Sequence, residues 1–272
     1  MFDKYLTCWQ LTLDGDPIST RSSRLLPVRW QGEPAMLKIA LDADEQFGGA
    51  LMAWWDGQGA ARVLAREDNA ILLERATGEI SLAELARSGH DVRATRIICA
   101  VTAKLHAPRT QPLPNLVPLS QWFRELEPAA QIHGGMLSLA AETARELLTD
   151  PRDVGVLHGD IHHDNILDFG DRGWLAIDPK RLFGERGFDY ANLFCNPDLA
   201  DPAHPVATMP GRFERRVEVV SEVAGLERKR LLQWILAWNG LSAAWFLSDG
   251  ETPEINLRIT ELAAAALRRS YQ

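Results

Sequence analysis

The most informative segment of the chain runs Val156-Leu157-His158-Gly159-Asp160-Ile161-His162-His163-Asp164-Asn165-Ile166-Leu167, with Gly173-Trp174-Leu175-Ala176-Ile177-Asp178-Pro179 close behind it. Short apolar runs alternate here with polar turns. Asp160 precedes Asn165 by five positions, and Asp178 closes the last apolar run. A hairpin pairing Ile166-Leu167 with Leu175-Ile177 would bring Asn165 and Asp178 to one end. The intervening Asp168 to Gly173 is polar and glycine-bearing, as a turn requires. Charged groups between strands of buried character are costly unless a partner or a chemical task compensates them. The spacing therefore marks a site rather than a solvated loop.

On the amino-terminal side the pattern reads as mostly strand. Tyr5 to Leu13, Arg24 to Trp30 and Ala35 to Ala40 are short alternating runs, broken by Asp14-Gly15-Asp16-Pro17 and by Gln31-Gly32-Glu33-Pro34, which suits a hairpin turn. Asp44 to Trp55 reads as a helix, and Ala61 to Arg66 and Ala70 to Glu74 as two more strands. Past Glu74 the periodicity turns helical: Ser81 to Arg87, Asp91 to His106 with Asp91 as N-cap, Leu119 to Glu127, Leu137 to Leu148, and most of the chain from Glu185 onward, with a loop near Asn196 to Pro210. A small strand-rich lobe, residues 1–76, thus precedes a larger helical lobe, 77–272, with a hinge near Leu72 to Gly78. Clefts between such lobes are common ligand sites.

Composition narrows the class of function. The 272 residues are 46% hydrophobic and 24% charged, an ordinary folded composition. A net charge of -8 disfavours sequence-independent nucleic-acid binding, which needs surplus Lys and Arg. It suits solubility or a cationic partner. Three scattered cysteines, Cys8, Cys99 and Cys195, form neither a zinc pattern nor a disulfide framework and suit reduced thiols in the cytoplasm. No signal peptide is visible. The apolar stretch Leu231 to Leu247 is short for a span and carries Gln233, Asn239 and Ser242, so a buried helix is expected rather than a membrane segment.

The order His158-Gly159-Asp160, Asn165, Asp178-Pro179-Lys180 resembles the catalytic loop and metal-binding segment of protein kinases. More closely, LHGDIHHDNIL with RGWLAIDP, and the later Gly240-Leu241-Ser242-Ala243-Ala244-Trp245, resemble the aminoglycoside phosphotransferase and choline kinase-like superfamily, in its streptomycin 6-phosphotransferase and hydroxyurea kinase branch. The resemblance implies an α+β bilobal protein kinase-like fold, with a small antiparallel-sheet lobe carrying one helix and a mainly helical second lobe. It implies ATP and magnesium as cofactors and a small-molecule hydroxyl as phosphate acceptor. Asp160 would then be the catalytic base, and Asn165 and Asp178 the metal ligands, hard oxygen donors of the kind magnesium prefers.

By the same resemblance Lys38 would grip the α- and β-phosphates; as a bare residue it reads first as a strand-end surface lysine, and the acidic helix that follows favours the phosphate role. Glu45 is the best match for its glutamate partner, with Asp42 and Asp44 as rivals, all three also suited to complementing a helix N-terminus. Leu72 to Ala76, including Glu74, would offer hinge backbone to adenine. No G-x-G-x-x-G loop is present; Ser19 to Ser23, with Ser22 and Ser23, occupies its place. There is no Walker A motif either. His158 is expected to orient the catalytic loop through a backbone hydrogen bond. Asp189 either braces that loop or starts a helix, and His106 is a structural histidine.

Trp234, Trp238 and Trp245 share one helical face, suited to core packing or to an aromatic wall for a sugar or guanidinium group. Asp198, Asp201, Glu218, Glu222, Asp249 and Glu251 are sources of negative charge for a cationic acceptor. The expected activity is ATP- and Mg-dependent phosphorylation of a small molecule, an aminoglycoside such as streptomycin first, as in antibiotic resistance. Alternatives are a kinase of hydroxyurea, a sugar or an amino alcohol, a nucleotide-binding pseudokinase, and a hydrolase whose metal sits among His158, His162, His163 and the nearby aspartates. Oligomeric state is not legible.

Overall fold

The computed structural model describes residues 1–20, 22–41 and 43–269, with the helical backbone alone for 43–47. Helix α1 (Asp3–Cys8) leads into strands β1 (Thr12–Leu13), β2 (Ile18–Ser19), β3 (Ser23–Trp30) and β4 (Glu33–Ala40); α2 (Ala43–Trp55) then precedes β5 (Val63–Glu67) and β6 (Ala70–Glu74). These strands form one antiparallel sheet in the order β1-β3-β4-β6-β5, with β2 added beside β3. Gln31 and Gly32 both take positive φ in the two-residue β3–β4 turn, the geometry that matches strand twist.

Strand alternation sorts the sheet's two faces. Leu26, Val28, Leu37, Ile39 and Leu72 bury one face against Tyr5 of α1. Ile71 and Leu73 point the other way, into a cluster with Met52 of α2 and with Phe169 and Leu175 from beyond the sheet. Lys38, between Leu37 and Ile39 and paired across from Ile71, therefore sits on the second face, which looks onto the rest of the molecule.

Two expectations need correction here. Tyr5 to Leu13 is not a strand: residues 3–8 are helical and only Thr12–Leu13 pair in the sheet. The Tyr5 and Trp9 rings lie tilted with centroids 5.2 Å apart, the i, i+4 relation of a helix face, which a short run mimics as alternation. Asp91 is not an N-cap either. It is the first residue of α4 and is fully buried in an ion pair with Arg216, whose Nη2 lies 2.6 Å from Oδ1.

Beyond the sheet come α3 (Leu82–Leu85), a π-helical turn, α4 (Asp91–Leu105), β7 (Val117–Pro118), α5 (Leu119–Trp122), α6 (Leu126–His133) and α7 (Met136–Thr149). The segment read first from the sequence forms β8 (Val154–Leu157), β9 (Ile166–Asp168) and β10 (Trp174–Ala176), followed by β11 (Leu182–Glu185). Helices α8 (Arg212–Ala224), α9 (Arg228–Ser248) and α10 (Glu254–Arg269) complete the second lobe. Most of α9 is buried, against α7 and α10. Among the described residues, no helix is long and apolar enough to cross a membrane.

The lobes are joined by backbone. Ala61 N–H donates to the Ala176 carbonyl and Ala176 N–H to the Gly59 carbonyl, each at 2.9 Å, and Gly78 N–H donates to the Asp168 carbonyl. Glu74 forms an ion pair with Arg172. Helix α2 closes the joint: a Cβ on Gly48 would meet the Pro179 carbonyl oxygen at 2.6 Å, so glycine lets the helix lie on the segment that carries Asp178.

Candidate active site

The β9–β10 hairpin pairs Ile166 with Ala176 and Leu167 with Leu175, and Ile177 N–H extends the ladder to the Asn165 carbonyl at 2.9 Å. Asn165 and Asp178 therefore stand together at the open end of the hairpin. Asn165 Nδ2 donates to the Asp160 carbonyl at 2.9 Å, which commits the amide nitrogen and leaves Oδ1 as the end that can serve a cation. Asp178 takes a left-handed backbone (φ +59), uncommon for a non-glycine residue and a frequent mark of a functional position. Its carboxylate meets Lys38 Nζ at 2.7 Å across the interlobe cleft. Lys38 is 5% exposed, so it is a buried cleft lysine and not a surface one.

The loop bearing Asp160 is held from below. Asp189, 1% exposed, accepts hydrogen bonds from the backbone N–H groups of His158 (2.9 Å) and Gly159 (2.7 Å), and its Oδ2 lies 2.8 Å from His106 Nε2. His158 Nε2 bonds the Ile177 carbonyl at 2.8 Å while Nδ1 accepts from Asp160 N–H, so one ring ties the Asp160 loop to the Asp178 strand. Burial holds the His158 pKa below its usual value, against the pull of Asp189 and Asp160, which keeps the ring a neutral linker. Trp55 stacks on it with ring centroids 6.0 Å apart.

Asp160 itself is half-buried and opens onto a pocket of about 370 Å³. Asn192 Nδ2 donates to its Oδ1 at 2.8 Å, and Asn196 Nδ2 donates to Asn192 Oδ1 at 2.8 Å, which fixes the amide orientation. Trp122, Trp238 and Trp245 form a wall of the same pocket, with Trp122 and Trp245 edge to face at 5.5 Å. The tryptophan face thus divides: Trp234 is fully buried, donating to Glu185 at 2.7 Å, while Trp238 and Trp245 line the cavity.

Other residues fall elsewhere. Ser23, the first residue of β3, is buried and exchanges hydrogen bonds with Thr20, and the Ser22 carbonyl accepts from Leu41 N–H. The side chains of Glu45 and Asp44, and all of Asp42, lie outside the described residues. The Glu74 carboxylate is taken up by Arg172 and by the Arg62 N–H, so only its backbone is left for a hinge contact; Ala76 packs in the cluster beneath.

Four of the six acidic residues considered for the acceptor are otherwise engaged. Asp198 is buried and accepts from the N–H groups of Val206, Ala207 and Thr208, Asp201 pairs with Arg87, and Glu218 and Glu222 pair with arginines of the helical lobe. The histidine–aspartate hydrolase cluster does not assemble. His162 lies 3.9 Å from Asp160, but His163 is turned into the core, and among the described residues no group of three or more His, Cys, Asp and Glu converges to hold a metal.

Asn192, Asn196, Lys180 and Trp122 were not singled out as site residues from the sequence. Asn192 follows Asp189 by three positions, one helical turn, and that spacing is the only local signal any of them carries.

Comparison with known proteins agrees with this geometry. Residues 8–250 match the family model described as aminoglycoside/hydroxyurea antibiotic resistance kinase. A streptomycin 3''-kinase of Klebsiella pneumoniae is 54% identical over 96% of this chain and 97% of its own length. A streptomycin 6-kinase of Streptomyces glaucescens is 30% identical over 92% of this chain and 83% of its own. The crystal structure of aminoglycoside phosphotransferase APH(4)-Ia superposes with a TM-score of 0.66 over 96% of both chains at 16% identity, a likeness of fold. With a kinase-like cleft, a polar cluster at its floor and relatives matched end to end, this chain belongs to the aminoglycoside/hydroxyurea antibiotic resistance kinases and is a small-molecule phosphotransferase of bilobal α+β fold.

Proposed function

We propose that the chain transfers the γ-phosphoryl group of ATP to a hydroxyl of an aminoglycoside, with the 3''-hydroxyl of streptomycin as the first candidate. The observation that carries the reading is the hydrogen-bonded set Lys38–Asp178 and Asn165–Asp160, which meets the aromatic-walled pocket at Asp160. The 54% identity to a streptomycin 3''-kinase favours that hydroxyl over position 6. Residues 1–76 would then be the nucleotide-binding lobe and 77–272 the catalytic and acceptor-binding lobe.

In this reading Lys38 binds the nucleotide's phosphates from the sheet side. Asp178 and Asn165 offer a carboxylate and an amide oxygen, the hard donor set that suits Mg²⁺ alongside phosphate oxygens and waters. The ion, when bound, would neutralise phosphate charge. Asp160 accepts the proton of the acceptor hydroxyl: the O–H bond breaks as the oxygen bonds the γ-phosphorus, and the bond to the bridging oxygen breaks with its electron pair leaving on ADP. Asn192 and the brace from Asp189 fix the carboxylate for that task. The tryptophans would hold a sugar ring or guanidinium group by stacking, and buried thiols at Cys99 and Cys195 suit the cytoplasm.

The test is to incubate the purified chain with ATP, Mg²⁺ and streptomycin, follow ADP release, and locate the phosphate on the product by NMR. A 3''-phosphate is expected. A 6-phosphate would sink the regiochemistry, and no turnover on any aminoglycoside would sink the substrate class.

A further inference from the structure

We propose that Lys180 is a second phosphoryl-binding cation of this site, serving the acceptor side of the transferred group as Lys38 serves the nucleotide side. The inference rests on the phosphotransferase reading above. Lys180 lines the pocket, its side chain 33% exposed, with Nζ 3.9 Å from Asp160 Oδ2. Asn192 occupies the other oxygen of that carboxylate. At 3.9 Å the ammonium and Asp160 form an ion pair without the short contact of a charge-assisted hydrogen bond.

The backbone around Lys180 is tightly set. Lys180 N–H donates to the His158 carbonyl at 2.6 Å. Gly159, at φ +88, has no Cβ; one added there would lie 3.0 Å from Lys180 Cβ and 2.8 Å from Leu182. Glycine is thus needed for the lysine stem to pass beside the Asp160 loop. Lys180 is also two residues beyond Asp178, whose carboxylate is paired with Lys38. A phosphoryl group moving from the Asp178 end of the cleft to an oxygen at Asp160 travels toward this ammonium.

Charge supplies the purpose. Among the described residues lining the pocket, Asp160 is the one carboxylate and Lys180 the one ammonium. A lysine repels a cationic acceptor, so it is ill-suited to recognising one. The transferred group, by contrast, carries negative charge on its equatorial oxygens and approaches the negative Asp160. A cation at that point offsets the repulsion where charge develops, which is where fixed charge accelerates reaction.

The experiment compares wild type, Lys180→Met and Lys180→Arg with ATP, Mg²⁺ and streptomycin, and measures the affinity of each for ADP alone and for ADP with aluminium fluoride, a mimic of the phosphoryl group in flight. Lys180→Met should lose about a hundredfold or more in kcat while KM for both substrates stays within about threefold. Its affinity for ADP with aluminium fluoride should fall in parallel, with ADP alone and the melting temperature unchanged. Lys180→Arg should recover most of the loss. Wild-type-like turnover in Lys180→Met overturns the proposal. So does unchanged aluminium fluoride affinity together with an acid limb of the pH profile moved upward, since Lys180 would then act only by keeping Asp160 ionised. If wild type itself ignores streptomycin, the acceptor reading fails instead, and the aluminium fluoride comparison still decides the role of Lys180.

Discussion

In the proposed reading the cleft has a nucleotide side and an acceptor side, and the two are built by different means. The nucleotide side is charged, and the polar groups beneath the cleft are closely hydrogen-bonded: Lys38 to Asp178, Asn165 to the Asp160 carbonyl, His158 to Ile177. The acceptor side is broad, with three tryptophans and two asparagines gathered around Asp160. On that reading the contrast follows from what each side would hold. A triphosphate presents fixed charge, and charge is bound well only by groups already oriented and desolvated. A sugar presents ring faces and hydroxyls, for which aromatic area and amides suffice.

That contrast can be broken from either side. The largest effect should come from Asp160→Asn, which keeps the shape and the Asn192 neighbour but removes the proton acceptor. Turnover should fall by about 10²–10⁴-fold with both KM values little changed. A fall below tenfold would remove Asp160 from the base role. Trp245→Ala should act on the other side only. It should raise KM for the acceptor by about tenfold, in keeping with about 1–2 kcal/mol for a partly desolvated aromatic contact, and leave KM for ATP unmoved. A matching change in nucleotide affinity would show that the two sides are one coupled unit.

The smallest effect concerns pH. His163 is fully buried, and burial, reinforced by Arg216, holds its pKa well below 6.5. A depressed histidine pKa means that the unfolded chain binds the proton more readily, so stability rises with pH through the window that ends near 6.5 and falls below it. Urea midpoints should therefore drop between pH 7.5 and pH 5.5, and His163→Leu should flatten part of that drop, with the buried His158 accounting for the remainder. A midpoint that does not move with pH would show that protonated His163 finds a partner inside the fold.

Legibility in the sequence followed the same divide. The hairpin from Ile166 to Ala176 could be read because its members lie within a dozen residues and the turn is marked by glycine. The strands β3, β4 and β6 were legible from alternation, whereas Lys38 was singled out by the family resemblance. The misread α1 shows the limit: over six residues, a helix face and an alternating strand share the same apolar positions. The misplaced Asp91 shows another, since an aspartate beginning a helix looks the same whether it caps the backbone or meets an arginine 125 positions away.

By itself the sequence determined which polar residues cluster at the cleft floor, because Asp160, Asn165 and Asp178 are joined by short-range backbone geometry that spacing encodes. Tertiary structure alone decided the pocket proposed for the acceptor, where Trp122, Lys180, Asn192 and Trp245 meet from four separate segments. It also turned Asp198 inward to serve backbone N–H groups and left Asp160 facing the cavity. The reason is physical: which polar group is buried and satisfied, and which is exposed to a ligand, depends on packing between distant elements, and local pattern carries no record of that packing.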